Sequence, residues 1–167
     1  MREILFRGKT LLGKWIEGDL LNYLGCGIVH IAQNYKGAGG QEVIPETVGQ
    51  YTGLTDKNGK KIFEGDIIRY ADLYDYYIYL DSVENPEAYE KIDEGYIWTI
   101  DEVVYAIKDG YPAFDLNKHD FEVNGLSELS KSGQYFYEVI GNIHDNKLEL
   151  LKAKTEFANY EMVGDEK

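Results

Sequence analysis

The sequence predicts an all-β protein: an SH3-like small barrel with an N-terminal β extension and a short C-terminal helix or tail. Three observations lead there. Residues 48–70, VGQYTGLTDKNGKKIFEGDIIRY, set Asn58-Gly59 between apolar-rich segments and add a second turn, Glu64-Gly65, that opens onto Asp66-Ile67-Ile68. Asn-Gly is a favoured hairpin pair because both residues tolerate positive φ. Fifteen tyrosines, in a chain that is 14% aromatic, suit the pleated and half-buried surface of a sheet. Short β-branched runs punctuated by glycine recur along the chain, and short strands joined by tight corners are how small barrels close their edges.

The elements follow in order. Glu3-Ile4-Leu5-Phe6-Arg7 reads as a first strand, Lys14 to Tyr23 as a second, and the β-branched Ile28-Val29-His30-Ile31-Ala32 as a third. Gly37-Ala38-Gly39-Gly40 reads as a loop tip; a phosphate loop would bring a following helix and a Lys-Ser/Thr pair, and the sequence there has neither. Pro45 has no N–H to give, which assigns it to a strand edge, start or bulge. Asn58-Gly59 predicts a type I′ hairpin, with Lys57, Lys60 and Lys61 as solvated turn residues.

Between residues 71 and 96 the composition changes. Asp72, Asp75, Asp81, Glu84, Glu87, Glu90, Asp93 and Glu94 face Lys91 alone, which concentrates −7 of the chain's −13 in this stretch. One reading is an exposed strand extension with a short helix at Pro86-Glu87-Ala88-Tyr89-Glu90-Lys91, Pro86 lying in its first turn. The sharper reading is a partner-binding protrusion, in which Tyr74, Tyr76, Tyr77 and Tyr79 supply contact area while the carboxylates steer the encounter. Tyr96 to Ile107 and Tyr111 to Leu116, joined through Asp109-Gly110, predict a second hairpin. Apolar residues at both parities there predict that both faces are covered. Leu126 to Gly133 reads as a polar loop, Gln134 to Ile143 as the last strand, and the chain from Lys147 as a short helix or frayed tail. The resulting organisation is an N-terminal β extension over 1–47, a barrel core over 48–146 and a tail over 147–167.

Composition narrows the function classes. A chain of 167 residues with 44% hydrophobic content has the size of one domain, with enough apolar surface for a core. A net charge of −13 opposes any extended grip on phosphate backbones, so direct nucleic-acid binding is not expected. Cys26, the only cysteine, has no internal disulfide partner and fits a reducing cytoplasm. No run approaches the ~18 apolar residues of a membrane-spanning helix.

A search for chemistry ends without a constellation. Cys26 and His30 are four residues apart across Gly27 and a strand-like run, which favours packing over a nucleophile and base. His119-Asp120 and His144-Asp145 lie in turn-like polar stretches, and no third ligand completes a metal spacing. None of the four serines sits in a G-x-S-x-G elbow. With 30 carboxylates in the chain, no particular pair stands out. The expectation is no catalytic residue, no metal and no cofactor.

Three stretches carry a resemblance: Arg2 to Gly8, Gln50 to Ile68, and Tyr137 to Asn146. Together they resemble the YopX family, small proteins of bacteriophages and prophages, from the N-terminus to about Leu151. The resemblance implies a mainly β protein without known enzymatic activity whose members self-associate, in the cytoplasm of a bacterial host. It carries over no catalytic residues. The expected function is a non-enzymatic accessory protein that binds a host or phage protein. Two rivals stand beside it: an acidic nucleic-acid mimic that inhibits a host DNA-binding enzyme, and an enzyme of unrecognised type.

Overall fold

The computed structural model describes residues 3–22, 27–33, 39–79, 89–108, 111–117, 124–131 and 137–145. The chain is mainly β. Its strands are β1 (Phe6–Lys9), β2 (Trp15–Asn22), β3 (Val29–Ala32), β4 (Gln41–Val43), β5 (Gly49–Thr55), β6 (Lys61–Phe63), β7 (Asp66–Tyr79), β8 (Tyr89–Lys108), β9 (Tyr111–Leu116) and β10 (Tyr137–Asn142). Among the described residues one helix, α1 (Gly125–Lys131), and one 3-10 turn, Pro45–Thr47, join them. Pro45 therefore starts a helical turn rather than occupying a strand, where its fixed φ and missing N–H cost nothing.

Two antiparallel sheets result, of order β4-β3-β2-β1-β5-β6 and β10-β7-β8-β9. β5 pairs with β1, so the stretches on either side of Val48 share the first sheet. That sheet curls enough for Val43 of β4 to bridge Thr10 at the end of β1. Its core is Ile16, Ile31 and Val43, with Phe6, Leu20, Val29 and Val48 packed against them. The second core gathers Ile62, Ile68, Tyr70, Val103, Leu116, Leu126 and Leu129. Alternation along the strands is only partial: Ile62 and Phe63 on β6, and Asp66, Ile67 and Ile68 on β7, are consecutive buried residues, because these strands lie where the two sheets meet.

The closed SH3-like barrel of the sequence reading is not formed: among the described residues neither sheet closes into a continuous ladder. Closure requires the outer edges to meet, and here side chains occupy them. Along β10, Tyr137 O accepts the Lys57 N–H at 3.1 Å, and the Val139 N–H donates to Asp56 Oδ2 at 3.1 Å. Along β9, Asn124 Nδ2 donates to Phe114 O at 2.8 Å, and Pro112 has no N–H. An edge satisfied in this way has little left to offer another strand.

The Asn58-Gly59 hairpin forms, with a different loop. Gly59 N donates to Asp56 O at 2.9 Å and Asp56 N to Lys60 O at 2.8 Å, so three residues separate the closing pair. Gly59, at φ 79°, takes the left-handed position of such a loop. The cause is Asp56, whose Oδ1 accepts the amides of Asn58 and Lys60 at 2.8 and 2.9 Å and wraps the loop around itself.

Three further expectations change. The polar loop at Leu126 is helical: the Asn124 side chain caps α1 by accepting the Ser127 N–H at 2.7 Å, and Leu126 and Leu129 share the buried face. The helix expected over Pro86 to Lys91 is not present at Tyr89–Lys91, which begin β8, and its first three residues lie outside the described ones. Both faces of β8 are covered at Ile100 and Asp101, but not at its end, where Tyr105 and Ile107 are exposed. Residues 147–167, with the expected tail helix, also lie outside the described residues.

Candidate functional site

Two regions concentrate features that a sheet scaffold alone does not require. The first is the junction between the sheets. Arg7 on β1 reaches Asp66 at the start of β7, Nη1 to Oδ1 being 2.7 Å, and Asp66 Oδ2 accepts the Phe63 N–H at 2.8 Å. The faces of the Arg7 guanidinium are covered by Trp15 and Phe63, whose ring centres lie 4.8 and 4.7 Å away. Stacking of this kind suits a weakly hydrated, delocalised cation. Burial pushes the Asp66 carboxyl above its usual range, further than Arg7 and the Phe63 amide pull it down.

The turn after β10 completes the junction. Asp145 accepts hydrogen bonds from Trp15 Nε1 at 2.6 Å, Lys9 Nζ at 2.5 Å and Asn142 Nδ2 at 3.0 Å. Those three donors hold its carboxyl down at about 2. His144 packs beside Trp15, ring centres 6.1 Å apart. Desolvation and the positive charges of Arg7 and Lys9 keep its imidazole below the ordinary range, outweighing Asp145 and Glu102. Gly65, at φ 79°, donates to Val103 O and accepts from Ile143 N, which ties the turn into both partners of β7.

The Asp56 loop is a second staple. Lys57 Nζ lies 3.1 Å from Glu138 Oε2, and Arg69 pairs with the same carboxylate from β7. Lys61 pairs with Glu3 at 3.0 Å, so two of the three turn lysines hold acidic partners rather than standing free in solvent.

The second region is the arm formed by β7 and β8. Beyond Tyr70, the last residue of β7 paired with β10, the ladder runs on from Ala71↔Trp98 to Tyr79↔Tyr89. Pairing of β8 with β9 begins only at Val103. Nine residues of β7 therefore extend beyond the four-stranded body as a two-stranded ribbon, a reach of about 30 Å at the rise of a strand. The sequence-predicted contact residues Tyr74, Tyr76, Tyr77 and Tyr79 all fall on it, opposite Gly95, Asp93, Lys91 and Tyr89. A bulge lies between Tyr76 and Tyr77, where β8 carries one extra residue, Ile92.

Asp145 and Asp56 are the residues that sequence reasoning passed over. Asp145 read as part of a turn-like polar stretch and Asp56 drew no reading of its own, and the partners that give Asp145 its role lie 130 and 136 residues away along the chain. His119, Asp120 and Cys26 lie outside the described residues. Among the described residues no three His, Cys, Asp or Glu side chains are grouped so as to hold a metal ion.

No curated protein matches the chain. A crystal structure of protein EF1440 from Enterococcus faecalis aligns with it at 25% sequence identity and a TM-score of 0.48, over 90% of this chain and 99% of that one. The family model for the YopX protein matches residues 5–152. That span takes in both sheets, the junction and the arm, and the chain belongs to the YopX family.

Proposed function

We propose that this YopX-family chain is a non-catalytic accessory protein of a phage or prophage that acts in the bacterial cytoplasm by binding a host or phage protein. The arm supports this reading. A ribbon of two strands gains little stability by itself, and this one extends beyond the strands that pair with β10 and β9. It also carries four tyrosines within six residues, Tyr74 to Tyr79, and tyrosine offers broad contact area at low entropic cost. Self-association, which the family resemblance implies, belongs to the same reading.

The test is a tagged pull-down from bacterial lysate, with and without nuclease, using the wild type and a Tyr74→Ser/Tyr76→Ser/Tyr79→Ser variant. A nuclease-resistant partner lost by the variant is the expected result. A partner retained at the wild-type level removes the arm from consideration. The acidity of residues 71–96 favours one other reading, mimicry of a nucleic acid. Binding would then compete with DNA and fall steeply with salt.

A further inference from the structure

The sheet edges of the body are managed by identifiable devices. β10 is covered by the Asp56 loop, with Lys60 Nζ also reaching Val139 O at 3.4 Å. β9 is covered by Pro112 and Asn124, and its Leu116 N–H turns to Asp115 Oδ1 at 2.7 Å. β4 and β6 are three residues long, too short to template a partner, and Val43 is held by Thr10. The arm has no such cover among the described residues. α1 ends at Lys131, so the five residues between it and Tyr137 could continue β10 along β7 no further than Asp75. Tyr76–Tyr79 stay beyond their reach.

We propose that this margin of β7, unpaired among the described residues, receives an extended, basic segment of another protein as an added strand. The inference rests on the arm being the partner-binding surface and specifies how it binds. Open edges pair by main-chain hydrogen bonds, with the flanking residues setting specificity. The bulge lies on β8 at Ile92, which leaves the β7 side regular and suited to a continuous ladder. Charge selects the occupant. The paired stretches 71–79 and 89–98 hold Asp72, Asp75, Glu90, Asp93 and Glu94 against Lys91. A second copy of the arm would bring like charges side by side, whereas a strand bearing lysine or arginine meets complementary ones.

The probe is a ten-residue peptide of alternating lysine and valine, titrated into the full chain by fluorescence anisotropy at physiological salt. Its control is the same peptide N-methylated on alternate residues, which keeps the charge and removes one row of amide donors. The expected result is at least tenfold weaker binding of the methylated peptide, and a similar loss with an Asp72→Asn/Asp75→Asn/Glu94→Gln variant. Amides of Tyr76–Tyr79 should gain hydrogen-exchange protection on binding. Equal affinity for both peptides, or no binding of either, overturns strand addition. An arm-dependent dimer in sedimentation overturns the basic occupant. If the peptide fails while the tyrosine variant still loses its lysate partner, the arm remains the contact surface and only the strand-addition mechanism falls.

Discussion

Replacing Asp56 by alanine tests how strongly one carboxylate joins the β5–β6 loop to β10. Asp56 is 6% exposed and accepts three amides: those of Asn58, Lys60 and Val139. Burial pushes its carboxyl up, and the three amides together outweigh that, leaving it below the ordinary range. A hydrogen bond to a charged group contributes roughly 1.5–3 kcal/mol. Asn58 and Lys60 are exposed, so water can replace the carboxylate at their amides, whereas the half-buried Val139 amide would lose its partner. The expected loss for Asp56→Ala is about 3 kcal/mol, or a fall in melting temperature of about 6–12 °C for a chain of this size. Asp56→Asn should cost about half as much, because its oxygen can serve the loop amides while its NH2 confronts the Val139 donor. Urea unfolding at pH 7, with the slope against denaturant unchanged, measures both. Since the folded pKa lies below the unfolded 3.8, this stabilisation is complete above that value and is lost as pH falls through the folded one. A loss below about 1 kcal/mol for Asp56→Ala would refute the reasoning.

The junction yields three further expectations. Arg7→Met leaves the Asp66 carboxylate buried without its counter-charge and should cost about 3–5 kcal/mol in urea unfolding, while Arg7→Met/Asp66→Asn should recover part of it. Asp145, held at about 2 against 3.8 in the unfolded chain, stabilises the fold above pH 3.8 and loses that contribution between 3.8 and about 2. Acid titration of Trp15 fluorescence, read in a Trp98→Phe background, should therefore shift to higher pH in Asp145→Asn. His144 has the opposite chemistry: its imidazole stays neutral in the fold while the unfolded chain takes up a proton below 6.5, so stability falls as pH drops through that value. Stability measured from pH 7.5 to 5.5 should show a shallower decline in His144→Gln.

What could be read from the sequence was what local chemistry decides. Asn58-Gly59 and Glu64-Gly65 specify turns through the φ their glycines accept, and both turns are in place, at φ 79° each. The β-branched run at Val29–Ala32 and the antiparallel pair of β8 and β9, which ends at Lys108↔Tyr111, likewise fall where the pattern puts them. Errors arose where a side chain redirected the backbone. Asp56 lengthened the hairpin loop by one residue, and Asn124 started a helix in a stretch whose serines and glycine read as loop. The signal for α1 was nonetheless present, as an Asn cap followed by Leu126 and Leu129 three residues apart. No local signal could have identified Asp145 as the meeting point of Lys9 and Trp15, because that role exists only once β1, β2 and β10 are assembled. The open sheets were hidden for a related reason. Strand patterning reports which residues face a core, and it says nothing of whether an edge is closed by another strand or by an asparagine.

The distribution of these contacts separates two kinds of residue. Arg7, Phe63, Asp66 and Asp145 all come from the three stretches that carry the family resemblance, and each of them makes a contact that joins the sheets. Residues 71–79 and 89–98 lie outside those stretches and pair with each other. The junction thus fastens two open sheets together, with Lys9 and Trp15 contributed from outside those stretches. The arm can change its sequence without disturbing the fastening, since the ladder that holds the ribbon is made of backbone. Substitutions at the junction should accordingly appear as changes in unfolding, and substitutions along the arm as changes in binding at constant stability. If Tyr76→Ser proved as destabilising as Arg7→Met, the arm would have to be part of the folding unit, and its separation from the body would be wrong.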